Sequence, residues 1–126
     1  MMQAGESVFV RELRVERIVI VRDGKTVMEI GSNVNGGEIV IYSSSGTPAI
    51  EISVVEDSGW IRVIAYSGNT AVEISADDDN NGYILFYDER EKPQMGIGVT
   101  REGVWDVLIS DEAMKKLDDL MKRWQR

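Results

Sequence analysis

Ile39-Val40-Ile41-Tyr42-Ser43-Ser44-Ser45-Gly46-Thr47-Pro48-Ala49-Ile50-Glu51-Ile52-Ser53 lies over Ile61-Arg62-Val63-Ile64-Ala65-Tyr66-Ser67-Gly68-Asn69-Thr70-Ala71-Val72-Glu73-Ile74-Ser75 at a constant offset of 22 residues. Each stretch is a β-branched arm, a polar turn holding glycine, and a second arm that ends Glu-Ile-Ser. Stepping back by 22 reaches Gly24 and Met28-Glu29-Ile30-Gly31, and by 21 the first arm Ile18 to Val21; stepping on by 23 reaches Ile84-Leu85-Phe86-Tyr87, Pro93 and Met95-Gly96-Ile97-Gly98. Four copies of about 22 residues thus fill positions 16–99, and an internal repeat of this length is the primary fold signal.

Within a copy, β-branched and aromatic residues suit a pleated surface, and Gly after Asp or Ser supplies the positive φ of a tight hairpin turn. Ile50, Ile52 and Val54 alternate with Ala49, Glu51 and Ser53, the period of a half-buried strand with Glu51 facing outward. Glu29 and Glu73 repeat that outward position. The links between copies are short, polar and end in Gly. So small a unit cannot bury its own apolar face, so several must share one core. The expected fold is mainly β: an antiparallel β-hairpin repeat array, curled as a β-prism or open barrel in preference to a side-by-side meander. Residues 100–109 form a fifth partial repeat and residues 110–126 a helix, all within one domain, 1–126.

The helix follows from a change of period. Ala113, Met114, Leu117, Leu120, Met121 and Trp124 fall on one helical face, Ser110 stands at the N-cap, and Asp111 and Glu112 occupy the first turn, with Lys122, Arg123 and Arg126 in the last. Met114, Leu117, Met121 and Trp124 are the candidate interface, either as a lid on the chain's own β core or as a stripe buried in a second subunit. Near the N-terminus, Arg11, Arg14 and Arg17 are offset locally by Glu12 and Glu16, as in a solvated leading strand.

The chain has 22 acidic and 14 basic side chains, a net charge of −8, and neither His nor Cys. That composition excludes zinc fingers, disulfide frameworks, thiol nucleophiles and His-dependent triads. The whole excess lies in residues 36–103, with twelve acids against four bases. Such a field repels nucleic acid and anionic lipid, so neither nucleic acid nor membrane is expected as a partner. No apolar run approaches the ~20 residues of a spanning helix. Met1 to Glu6 has neither the basic start nor the apolar stretch of a signal peptide, and a cytoplasmic location is expected.

The recurring arm, Asp-Gly or Ser-Gly turn, and second arm of the form Ile50-Glu51-Ile52-Ser53 resemble the uncharacterised β-hairpin-repeat proteins of bacteria, archaea and their viruses, small proteins of hyperthermophilic archaeal viruses among them. Residues 16–103 carry the resemblance. It implies a hairpin architecture, a host-cytoplasm or virion setting if the chain is viral, and no assigned activity.

Two local constellations carry chemistry. Asp77, Asp79 and Asn81 occupy positions 1, 3 and 5 of a calcium-loop pattern, with Gly82 at 6, Ile84 at 8 and Asp88 at 12. The flanks read as strands and Asp88 is shorter than the usual bidentate Glu, so a solvated turn competes with a low-affinity Ca²⁺ site; no other cofactor is expected. Trp60, Tyr66, Tyr83 and Trp105 lie near links or turns, where they could stack on a sugar ring or cover the end of a β core. Catalysis would fall to carboxylates, Lys, Ser or Tyr, and an acid pair needs one desolvated member; no catalytic residue is assigned. The functional expectation is a non-enzymatic structural or interaction module, a homo-oligomer or protein partner-binder, with a carbohydrate- or small-ligand-binding domain as the alternative.

Overall fold

The computed structural model describes residues 5, 7–76, 80–99, 102–103 and 105–124, with backbone alone for Trp105, Leu117, Leu120, Met121, Arg123 and Trp124. The repeats become β1 (Ile18–Arg22), β2 (Lys25–Asn33), β3 (Gly36–Tyr42), β4 (Pro48–Val55), β5 (Ser58–Ile64), β6 (Thr70–Ala76), β7 (Gly82–Tyr87) and β8 (Pro93–Val99). The partial fifth copy supplies β9 (Trp105–Ile109), and α1 (Asp111–Trp124) follows. All nine strands pair antiparallel with their sequence neighbours in a single sheet, in the order β1 to β9.

The hairpins therefore follow one another side by side in one open antiparallel sheet, the hairpin array expected from the sequence, and β1 and β9 do not pair to close it into a barrel. With nine strands in strict alternation, β1 and β9 run in the same direction. Closing the sheet would require a parallel pair between them, the less favourable ladder per residue.

Turn chemistry builds each hairpin. Asp23 and Gly24 both have positive φ, 51° and 75°, the two-residue turn whose twist matches the flanking strands. The next three turns share one pattern. The Ser43 amide donates to the Thr47 carbonyl at 2.8 Å and the Gly46 amide to the Ser43 carbonyl at 3.0 Å; Ala65, Gly68 and Asn69 repeat it, as do Asp88, Glu91 and Lys92. Gly46 and Gly68 take the left-handed position, and in the last copy, which has no turn glycine, Glu91 takes it at φ 57°. The register shifts by one residue at the same point of every hairpin, at Ile20/Val21, Ile41/Tyr42, Val63/Ile64 and Phe86/Tyr87.

Because the pairing register is continuous, equivalent residues of successive strands line up in rows. Ile18, Ile30, Ile39, Ile52, Ile61, Ile74, Ile84, Ile97 and Val107 form one row, paired neighbour to neighbour from β1 to β9. Two residues along each strand, on the same side of the sheet, Ile20, Met28, Ile41, Ile50, Val63, Val72, Phe86, Met95 and Ile109 form a second. Between these rows, pointing to the opposite face, stand Val19, Glu29, Val40, Glu51, Arg62, Glu73, Leu85, Gly96 and Leu108.

No second layer is stacked on this sheet among the described residues. Only Val40, Ser53 and Gly96 are buried, and all three belong to the face that carries the charges. There, long side chains lean across their neighbours, and Val40 sits in register between Glu29 and Glu51. α1 meets the sheet chiefly at β8. Its start is capped as expected: the Ala113 amide donates to Ser110 Oγ at 3.0 Å, and the Met114 amide to the Ser110 carbonyl at 2.8 Å. Among the described residues no helix is long and apolar enough to cross a membrane.

Candidate functional site

The charged face is organised by one acid in each of the first three hairpins, and each acid has its own donor. Arg17 Nη2 donates to Glu29 Oε2 at 2.9 Å, and Arg62 Nη2 to Glu51 Oε2 at 2.8 Å. The carboxylate of Glu73 accepts from two hydroxyls, Tyr83 at 3.0 Å and Tyr87 at 2.6 Å. The outward positions read from the sequence for Glu29, Glu51 and Glu73 are thus one row of one face. Burial, then the Glu73 carboxylate, holds the Tyr87 hydroxyl protonated well above its ordinary range; Tyr42 is raised in the same sense by burial and then by Glu29. In the fourth copy the acid is replaced by Gly96, where a Cβ would lie 2.6 Å from Leu85 Cδ2. The glycine lets the Leu85 side chain lie across β8.

Two of the four candidate aromatics come together. Ser53 pairs with Trp60 and Ser75 with Tyr83, so the small Ser75 separates Trp60 from Tyr83 along one row. The gap is a recess of about 280 Å³ lined by Trp60, Glu73, Ser75 and Tyr83, with Val55 and Glu56 at its rim. The Arg62 guanidinium lies 5.1 Å from the Trp60 ring centroid, within cation–π range, and its Nε is enclosed without an acceptor. Tyr66, in contrast, is fully exposed on the β5–β6 turn, away from this recess. Trp105 begins β9 and pairs with Val99, and its side chain lies outside the described set.

The candidate calcium loop divides differently. Asp77 and Asp79 lie outside the described residues, and Asn81 precedes β7. Asp88 serves the β7–β8 turn: Oδ1 accepts the Arg90 and Lys92 amides at 2.9 and 3.0 Å, and Oδ2 accepts the Arg90 guanidinium and Gln94 Nε2, both at 2.9 Å. Those donors, the Lys92 amide foremost, lower its pKa to about 2. Among the described residues no cluster of three or more acids converges on one point. Of the candidate helix stripe, Met114 is half exposed, and the side chains of Leu117, Met121 and Trp124 lie outside the described set.

The opposite face is apolar across all nine strands at two levels. Both of its rows are aliphatic, Met or Phe from edge to edge. Ile18, Ile20, Ile52, Val63, Ile74, Phe86, Ile97 and Val107 each keep 37–45% of their surface exposed. Sequence reasoning placed single members of this face, such as Ile50 and Ile52, on the core side of the hairpins. The signal that joins them into one face was the alternation within each arm, since the offset between copies changes from 21 to 23 residues. No protein family and no curated protein matches the chain.

Proposed function

We propose that this chain is a non-enzymatic structural module that works by self-association, building or holding a protein assembly. One observation carries the reading: a single sheet layer whose aliphatic face has no covering layer among the described residues. A sheet with one apolar face must bury it against another element, and sheets packed on sheets are a standard solution. Sedimentation velocity of the purified chain over a wide concentration range tests this. Assemblies of two or more copies support it, and a strict monomer at every concentration ends it.

A second reading has its own support. Trp60 and Tyr83 flank a recess that also presents the Glu73 carboxylate and the Ser75 hydroxyl, the mixture of ring face and hydrogen-bonding groups that suits a sugar ring. Tryptophan fluorescence titrated with simple sugars, in the native chain and in Trp60→Phe, separates the two readings. A saturable change lost in Trp60→Phe supports the recess as a site; indifference to every sugar leaves assembly alone.

A further inference from the structure

We propose that the aliphatic face seats the same face of another copy of this chain, so that the protein's main hydrophobic core lies between chains. This deepens the self-association reading and rests on it, naming the surface and the occupant.

The size of the face is the first argument. Nine strands about 4.8 Å apart span roughly 38 Å, and two residues on alternate positions of a strand cover roughly 13 Å with their side chains. The two aliphatic rows alone therefore offer on the order of 500 Å² in plan, and Val54, Ala76 and Val99 extend them on β4, β6 and β8. That lies at the upper end of the apolar patches of monomers and is most of the ~800 Å² each partner gives to a standard interface. Among the described residues the chain's own remaining parts leave it open. α1 leaves Phe86 and Ile97 on neighbouring strands exposed, and the leading segment exposes Val8, Phe9, Val10, Leu13 and Val15 itself.

Charge decides which face turns inward. The rows Ile18–Val107 and Ile20–Ile109 contain no charged residue and no side-chain hydrogen-bonding group. The other face carries Glu29, Glu51 and Glu73 at one level, the last two in the part of the chain that holds the whole −8. Pressing two such faces together would desolvate these carboxylates and their Arg17 and Arg62 partners, whereas the aliphatic rows bury no charge and strand no donor or acceptor. Identity of the occupant follows from the symmetry of the surface. A twofold contact requires a patch that fits itself, and a face that presents an aliphatic side chain at every strand meets that demand without special pairing. Two sheets in this arrangement interdigitate about 10 Å apart.

The test uses the full chain. Ile61→Asp sits on the central strand of the first row; Val19→Lys alters the exposed β1 edge and Met114→Lys the helix stripe. The expected result is a native assembly whose dissociation constant rises at least a hundredfold in Ile61→Asp and is unchanged in the other two. Since Ile61→Asp could also prevent folding, the absence of native Cys provides a second measurement. Maleimide should label Ile61→Cys at least tenfold more slowly in assembled than in diluted protein, and should label Leu108→Cys, on the opposite face, at one rate throughout. If assembly survives Ile61→Asp but is lost in Val19→Lys or Met114→Lys, or if Ile61→Cys reacts freely in the assembled protein, the face assignment falls while self-association stands. A native chain that is monomeric at all concentrations overturns both.

Discussion

Glu73 ties β6 to β7 by an interaction whose removal has a calculable effect. Its two carboxylate oxygens accept hydroxyl bonds at 3.0 Å from Tyr83 and 2.6 Å from Tyr87. A hydrogen bond to a charged group contributes about 1.5–3 kcal/mol, and both of these are partly open to water, so Glu73→Ala should cost about 2 kcal/mol in all. With a urea dependence of about 2 kcal/mol per molar, that moves the unfolding midpoint down by about 1 M at a fixed protein concentration. The same bond gives a pH signature. The Tyr87 hydroxyl is raised above its unfolded value near 10 by burial and by Glu73. The folded chain therefore holds that proton more tightly than the unfolded chain, so the stabilisation is complete below pH 10 and is lost as pH climbs through the raised value. In a spectrophotometric titration of the folded proteins, Tyr87 should ionise at lower pH in Glu73→Ala than in native protein, because the variant keeps only the contribution of burial. Equal urea midpoints for the two proteins at pH 8, or the same tyrosine ionisation in both, would refute the reasoning.

Three further outcomes follow from the turns and the cap. Asp57 holds φ 67° in the β4–β5 turn, next to Glu56 at 47°; Asp57→Gly relieves a left-handed side-chain clash and should raise stability by about 1 kcal/mol in thermal unfolding. Ser110→Ala removes the hydroxyl that caps α1 and should lower stability by about 1 kcal/mol, with a loss of helical circular dichroism. The depressed ionisation of Asp88, about 2 against an ordinary value of 3.8, stabilises the folded chain above the unfolded value, and that share is lost as pH falls through the folded one. Asp88→Asn should accordingly be less stable at neutral pH and show a shallower loss between pH 4 and pH 2 by fluorescence.

The hairpins were legible because they are local. Gly24, Gly46 and Gly68 adopt the positive φ assigned to them, Ser110 caps the helix, and Glu29, Glu51 and Glu73 share a face as their spacing requires. What the repeat left open was how hairpins join to one another. A two-residue alternation specifies which face is apolar but not whether the sheet closes or stays open, since the same parity serves both. The placing of Trp60 and Tyr83 on either side of Ser75 was hidden for a related reason. These residues are 23 apart, one repeat plus one residue, and only the register of β5, β6 and β7 sets Ser75 between them. Glu91 in a left-handed position had no signal at all, because a side chain there departs from the glycine of the earlier copies.

An aliphatic face that repeats with every hairpin is a ruler without graduations. In the proposed pair, a copy displaced by one hairpin, roughly 10 Å along the sheet, would forfeit the contacts of two strands and still meet apolar side chains opposite apolar side chains elsewhere. Alignment of two copies must then come from the ends, where the leading segment joins β1 and α1 leaves β9. Where those end stops are trimmed, a staggered copy leaves a free step of bare strands at each end, and the same contact that makes a closed pair becomes a rule for growing a filament.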